Sequence, residues 1–224
     1  MDWRYNTIWQ EQLSGDDLAS VNFGNGATSD QDLLEKGYLF AAKFKSQTGN
    51  LDDFPAGRSV KCLYLGSSNI RSFSGLSKFP NIKRLETEYC NKLEIDSGLS
   101  DARGTLEWLH INQSKRFSPG EELFSLHNLR VLCLNACGPI KDLEFLRRLP
   151  NLVDFRFVDT NVLSGDLTPL LEHPTLCSAG FLNKRHYNLK ESEADEYFRP
   201  RREAAIEKIY KGKYETFRYL SLGS

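Results

Sequence analysis

The sequence predicts an α/β repeat fold, a solenoid of short coils with caps at its N- and C-terminal ends. Three observations carry this expectation. The first is a recurring block, clearest at 129–137, where Leu129, Leu132, Leu134 and Cys137 hold the first, fourth, sixth and ninth places. It returns as Val60, Leu63, Leu65 and Ser68; as Ile82, Leu85, Thr87 and Cys90; as Leu106, Leu109, Ile111 and Ser114; and as Leu152, Phe155, Phe157 and Thr160. Leu176, Ala179 and Phe181 form a degenerate last copy, and the steps between copies are 22, 24, 23, 23 and 24 residues. A fixed period of this size belongs to coils that bury their apolar faces on their neighbours. The second observation is the apolar phrase leading into a block: Phe73, Leu76, Phe79 and Pro80-Asn81-Ile82; Leu123, Leu126 and His127-Asn128-Leu129; Leu143, Leu146, Leu149 and Pro150-Asn151-Leu152. The third is the alternation inside each block, which sends the paired apolar side chains inward from a short strand and their neighbours outward.

These residues resemble the repeats of leucine-rich repeat proteins. The phrase ending in Pro-Asn-Leu is similar to the short repeats of bacterial internalins and of eukaryotic phosphatase-regulator repeat proteins. The resemblance covers residues 58–184 and implies an α/β, right-handed leucine-rich repeat solenoid of about six repeats, a horseshoe with a parallel β-sheet on its concave face. It also implies a non-catalytic scaffold that binds another protein on its concave face. The ninth place of such a repeat normally holds Asn, bonded to neighbouring backbone. Ser68, Cys90, Ser114, Cys137 and Thr160 stand there in this chain, and each can donate one hydrogen bond.

Residues 1–57 are expected to cap the first coil, since a solenoid must hide the apolar end of its stack. Within them, Trp3, Tyr5, Thr7 and Trp9 alternate as an edge strand would. Gly24-Asn25-Gly26 reads as a loop. Ser29 and Asp32 resemble a capping box before Leu33-Leu34-Glu35-Lys36, stopped by Gly37. Tyr38 to Lys45 reads as a strand one period upstream of the first block, an irregular zeroth repeat. Residues 185–224 are expected to form a C-terminal cap with one helix. Pro200 opens that helix in this reading, which runs to about Lys211 with Ala205, Ile206, Ile209 and Tyr210 on its buried side and Gly212 as its stop. Tyr214 to Leu220 reads as a terminal strand.

Composition narrows the partners. Apolar residues make up 40% of the chain and charged residues 26%, with a formal net charge of -1. That balance argues against a nucleic-acid partner, which needs a basic surface. No apolar run is long enough to span a bilayer, so no membrane partner is expected. The start of the chain lacks a basic region followed by an apolar core, so no secretory signal is read there. The five cysteines are an odd count without a paired framework. Together these features predict a cytoplasmic protein, monomeric when free.

The outward residues of the blocks define the expected partner-binding set: Tyr64, Arg84, Glu86, Glu88, Tyr89, Trp108, His110, Asn112, Arg130, Asp154, Arg156 and Asp159. Trp108 is expected to be an exposed anchor, because Trp, Tyr and Arg bury much area while still forming polar bonds. On that reading its removal weakens binding and leaves the melting temperature nearly unchanged. Glu86, His110 and Cys133 share one column, and strands about 4.8 Å apart would set Cys133 beside His110 as nucleophile and base. A flat sheet offers such a pair no pocket and no oxyanion hole, so no catalytic role is assigned. Cys133 and Cys137 point to opposite sides and do not converge on a metal. His127 and His173 hold matching structural places, and no metal or cofactor is expected. The sharpest functional reading is a bacterial immunity protein that blocks a toxin domain. The alternatives are an adaptor subunit of a phosphatase or ligase type complex and, last, an enzyme using Glu86, His110 and Cys133.

Overall fold

A computed structural model describes residues 15–25, 35–211 and 214–219. Eight strands form one all-parallel sheet in chain order: β1 (Leu18–Asn22), β2 (Tyr38–Ala42), β3 (Cys62–Gly66), β4 (Arg84–Glu88), β5 (Trp108–Asn112), β6 (Val131–Asn135), β7 (Asp154–Arg156) and β8 (Ser178–Gly180). Each strand therefore begins a coil that returns to lay the next strand beside it. This is a leucine-rich repeat solenoid. The blocks read from the sequence become β3 to β8, in register. Leu63, Leu85, Leu109, Leu132 and Phe155 pair across neighbouring strands. The sheet also reaches upstream, because β1 and β2 lie within residues 1–57. The strand expected from Tyr38 ends at Ala42, where Lys43 turns into a left-handed conformation. The expectations for Trp3 to Trp9, Gly26, Ser29 to Leu34 and Gly212 lie outside the described residues.

The same turn recurs after most strands. Lys43, Ser67, Tyr89, Gln113, Ala136 and Asp159 all take a positive φ, between 50° and 58°. A side chain in that region costs about 1–2 kcal/mol. The turn residue's own N–H meets the adjacent coil, as in Ser67 N to Glu88 O at 2.8 Å and Ala136 N to Val158 O at 2.8 Å. The ninth-place residues then reach back to the preceding coil. Ser68 Oγ donates to Phe44 O at 2.9 Å, Cys90 Sγ to Leu65 O at 3.6 Å, Cys137 Sγ to Ile111 O at 3.4 Å and Thr160 Oγ1 to Leu134 O at 2.6 Å. Ser114 bonds within its own coil, to Asn112 O. Burial pushes the Cys90 and Cys137 thiols up to about 11 and about 12, so both remain protonated donors near neutral pH.

On the far side of each coil, the Asn before the block does the equivalent work. The side-chain amides of Asn81, Asn128 and Asn151 donate to Arg58 O, Gly104 O and His127 O, each at 2.8 Å and each one coil back. Two carboxylates lock a further pair of coils. Asp96 accepts from the Gly120 and Leu123 amides at the start of α1 (Glu121–Phe124). Glu122 of that helix returns to the Gly98 and Ser100 amides. Orphan donors at two helical turns are thus satisfied reciprocally.

One inward place is filled by the wrong chemistry. Where β3, β5 and β6 set Leu65, Ile111 and Leu134 into the core, β4 sets Thr87, 1% exposed. Its Oγ1 has no hydrogen-bond partner among the described residues. An unpaired buried hydroxyl costs on the order of 1–3 kcal/mol. Thr87→Val is therefore expected to stabilise the fold by about 1 kcal/mol. The check is a higher urea midpoint with unchanged slope; a lower midpoint would mean that the hydroxyl is satisfied.

The last coil is closed by α2 (Thr168–Glu172) and α3 (Glu191–Ala205). His173, just past α2, is buried, with Nε2 3.1 Å from Leu146 O and 3.2 Å from Leu149 O. Burial lowers its pKa, so the neutral ring acts as a structural donor. His127, at the matching place, is exposed. The expected start of the last helix is corrected. It begins at Glu191, so Pro200 lies inside it rather than at its start, and it ends at Ala205. Glu191 and Glu193 suit the positive end of the helix, and the Lys190 amide donates to Glu193 Oε2 at 2.9 Å. Pro200 is exposed, and so is Glu196 four residues before it, whose carbonyl a proline leaves without its helical partner. Ala194, Phe198 and Ala205 form the buried stripe. Ile206–Lys211, expected as helix, is instead strand β9, paired antiparallel with β10 (Tyr214–Tyr219). Its Ile and Tyr residues favour extended backbone, and a partner strand follows at once.

Candidate functional site

Strand alternation places three rows of side chains on the face opposite the core. The first row is Tyr38, Cys62, Arg84, Trp108, Val131, Asp154 and Ser178, and every member is buried. The expected exposure of Trp108 is therefore corrected, since its side chain is 0% exposed. The Arg84 guanidinium lies 3.6 Å from its ring centroid, and Val131 and Cys133 form an apolar cluster with it. Arg84 and Asp154, also expected on the open surface, are 1% and 0% exposed. Alternation assigns a residue to a face and says nothing about what covers that face.

The middle row holds the expected central column. Tyr64 stacks on Phe40, with ring centroids 4.2 Å apart, and its hydroxyl donates to the Glu88 carboxylate. Burial, and next that hydrogen bond, push the Tyr64 phenol up. Arg84 Nε donates to Glu86 Oε1 at 2.7 Å, and His110 Nδ1 lies 3.8 Å from Glu86 Oε2. Burial alone would raise the Glu86 pKa. The Arg84 guanidinium and His110 outweigh it and hold the carboxyl below its ordinary value. The other ring nitrogen of His110 lies 3.2 Å from the Asn135 amide. Arg156 donates to Asp154 at 3.0 Å and to Ser178 Oγ at 2.9 Å. Arg130, half-buried just before β6, accepts the Val153 and Asp154 amides on its carbonyl. Tyr38, Arg84, Trp108, His110, Arg130, Asp154 and Arg156 each make further contacts beyond these.

The Glu86, His110 and Cys133 column is brought together as strand neighbours, but its chemistry is that of a packed face. His110 is turned to Glu86 and Asn135. Burial, and next the Asp154 carboxylate, hold the Cys133 thiol well above its ordinary pKa. A nucleophilic thiol needs the reverse environment.

What remains open is the third row and the turn after it. Glu88 and Asn112 are half-buried and bonded to each other at 3.2 Å. Asn135 Oδ1 accepts the Val158 amide at 3.0 Å. Tyr89 is 54% exposed and Val158 36%, and Asp159 is exposed beside Val158. The accessible part of the expected site is therefore a strip along the C-terminal ends of the strands. Tyr89 and Asp159 belong to the expected set and Val158 does not, although its outward place was legible. Among the described residues, no group of three or more His, Cys, Asp or Glu is placed to hold a metal ion. No helix among them is long and apolar enough to cross a membrane.

The chain is similar to two solved internalins. Both come from Listeria monocytogenes strain 4b F2365. The first shares 15% identity over 70% of this chain and 54% of its own, with a TM-score of 0.42. Internalin C2 shares 19% identity over 67% of this chain and 73% of its own, with a TM-score of 0.43. The chain thus spans about half the length of the first. No protein-family model matches the chain, and no curated protein matches it.

Proposed function

We propose that the chain is a non-catalytic protein-binding module whose partner seats on the strip at the C-terminal ends of the strands. The observation that carries this reading is the exposure of Tyr89 and Val158 there, beside half-buried polar groups already bonded in place. An exposed aromatic anchor next to pre-ordered polar partners is the pattern of an interface hot spot, because little side-chain freedom is lost on binding. The sharper form is a bacterial immunity protein that blocks a toxin; the charged groups named on the strip, Glu88 and Asp159, are both acidic and suit a basic partner surface. The test is a pull-down from native lysate with the wild type beside a Tyr89→Ala, Val158→Ala double variant. A partner held by the wild type should lose roughly tenfold or more in affinity for the variant. Equal retention by both baits would move the partner off the strip. A retained toxin domain supports the sharper reading, and a phosphatase or ligase subunit replaces it with the adaptor.

A further inference from the structure

A second ladder runs beside the sheet. After the left-handed turn, each coil passes through a segment that bonds to the same segment of its neighbours. Asn69 N donates to Phe44 O, Arg71 N to Gly49 O, Glu94 N to Arg71 O, Ser118 N to Glu94 O, Gly138 N to Phe117 O and Leu163 N to Ile140 O. Side chains of these segments therefore stand side by side along one rim of the solenoid.

That rim is basic, although the chain carries a net charge of -1. Five adjacent coils, those of β2 to β6, contribute Lys45, Arg71, Lys92, Lys115, Arg116 and Lys141, and all six are exposed. Arg116 pairs with Glu94 at 3.0 Å, and Lys141 lies 3.9 Å from Asp142. Among the described residues, Arg71, Lys92 and Lys115 form no ion pair. Like charges set one coil apart repel one another, and nothing in the repeat pattern requires them there. Apolar groups adjoin them, Ile95 within the line and Leu163 one coil past Lys141. Ile95 is 52% exposed and Leu163 57%. Beside Lys141 opens a cleft of about 590 Å³ with an apolar wall of Phe124, Pro139, Ile140 and Phe145 and a charged edge of Glu121, Asp142, Glu144 and Arg148, so it suits an aliphatic side chain and not a carboxylate.

We infer that this rim is a binding surface for an acidic, extended segment of another protein, distinct from the strip around Tyr89. Four steps of about 4.8 Å carry the basic line roughly 19 Å, the length of about six residues of extended chain. Carboxylates on one side of such a segment would meet the Lys and Arg line. Aliphatic side chains between them would cover Ile95 and Leu163 and enter the cleft. A nucleic acid fits less well. The apolar groups open on the rim are aliphatic, while Phe124 and Phe145 stack on each other at 4.8 Å and Arg148 lies over Phe124 at 5.4 Å. Among the described residues of the rim, that leaves no free aromatic platform for a base.

The test uses the whole chain and fluorescence anisotropy. The probes are a labelled peptide of repeated Glu-Glu-Leu and a labelled single-stranded oligonucleotide of equal charge. The baits are wild type, an Arg71→Glu, Lys92→Glu, Lys115→Glu variant, the same three positions changed to Gln, and Tyr89→Ala, Val158→Ala. The peptide is expected to bind wild type in a salt-sensitive manner, to weaken roughly tenfold or more with the Glu variant and less with the Gln variant, and to bind the Tyr89, Val158 variant unchanged. Failure of the wild type to bind the peptide overturns the inference, as does equal binding by the charge-reversed rim. Tighter binding of the oligonucleotide overturns it in favour of a nucleic acid. Loss of the peptide only in the Tyr89, Val158 variant also overturns it, while leaving the strip as a protein-binding surface.

Discussion

Trp108→Ala is expected to cost about 3–5 kcal/mol of folding stability, the range for removing a large aromatic side chain from a packed site. The indole is wholly buried on the sheet face that faces away from the main core, against Val131 and Cys133. Arg84 lies on its ring at 3.6 Å, and His110 meets it edge-on with centroids 5.7 Å apart. A cation over a ring is worth about 2 kcal/mol when both are shielded from water. Alanine removes that contact and leaves a cavity beneath a guanidinium still tied to Glu86. Trp108→Phe keeps a ring under Arg84 and should recover part of the loss. Urea unfolding followed by far-ultraviolet circular dichroism reads both variants. An unchanged midpoint for the alanine variant would return Trp108 to the role of an exposed binding anchor.

Leu132→Asp acts on the opposite face of the next strand and is expected to be at least as damaging, at about 4 kcal/mol or more. Leu132 is 0% exposed and lies between Leu109 and Phe155 in the register. A carboxylate there must ionise without a partner or stay protonated among hydrocarbon, and either is costly. The position also matters. Each coil contacts mainly its neighbours, so damage in a central coil uncouples the two halves of the stack. The unfolding transition should fall in midpoint and broaden. A sharp transition at the wild-type midpoint would contradict the inward register of the repeat.

The period made the core legible. Spacing alone points Leu63, Leu85, Leu109 and Leu132 inward, and all four are buried. The ninth-place substitutes were legible too, because Ser, Thr and Cys keep a donor on a short side chain. The terminal coils were harder. β1, Leu-Ala-Ser-Val-Asn, has too few large apolar residues to show the block, yet its backbone pairs with β2 at every position. Pro200 misled because proline is read as a helix start, whereas one on an exposed helical face needs only water for the carbonyl that it frees. On the candidate site, alternation gave the correct face for Tyr64, Glu86, His110 and Arg156. It could not give depth. Cys62 and Val131 are as outward in pattern as Tyr89, yet both are 0% exposed while Tyr89 is open.

The buried first row has a mechanical consequence. A repeat sheet packed on one side alone can change its curvature by small equal rotations at every coil, as a stack of loosely hinged plates does. With Cys62, Arg84, Trp108, Val131 and Asp154 all enclosed, and neighbouring strands joined where Arg84 lies over Trp108 and Arg156 donates to Ser178, each such rotation must shear packed side chains on both sides at once. The arc is therefore stiff. Spacings along its edges are set before any partner arrives, and whatever docks there must fit a ruler that does not bend.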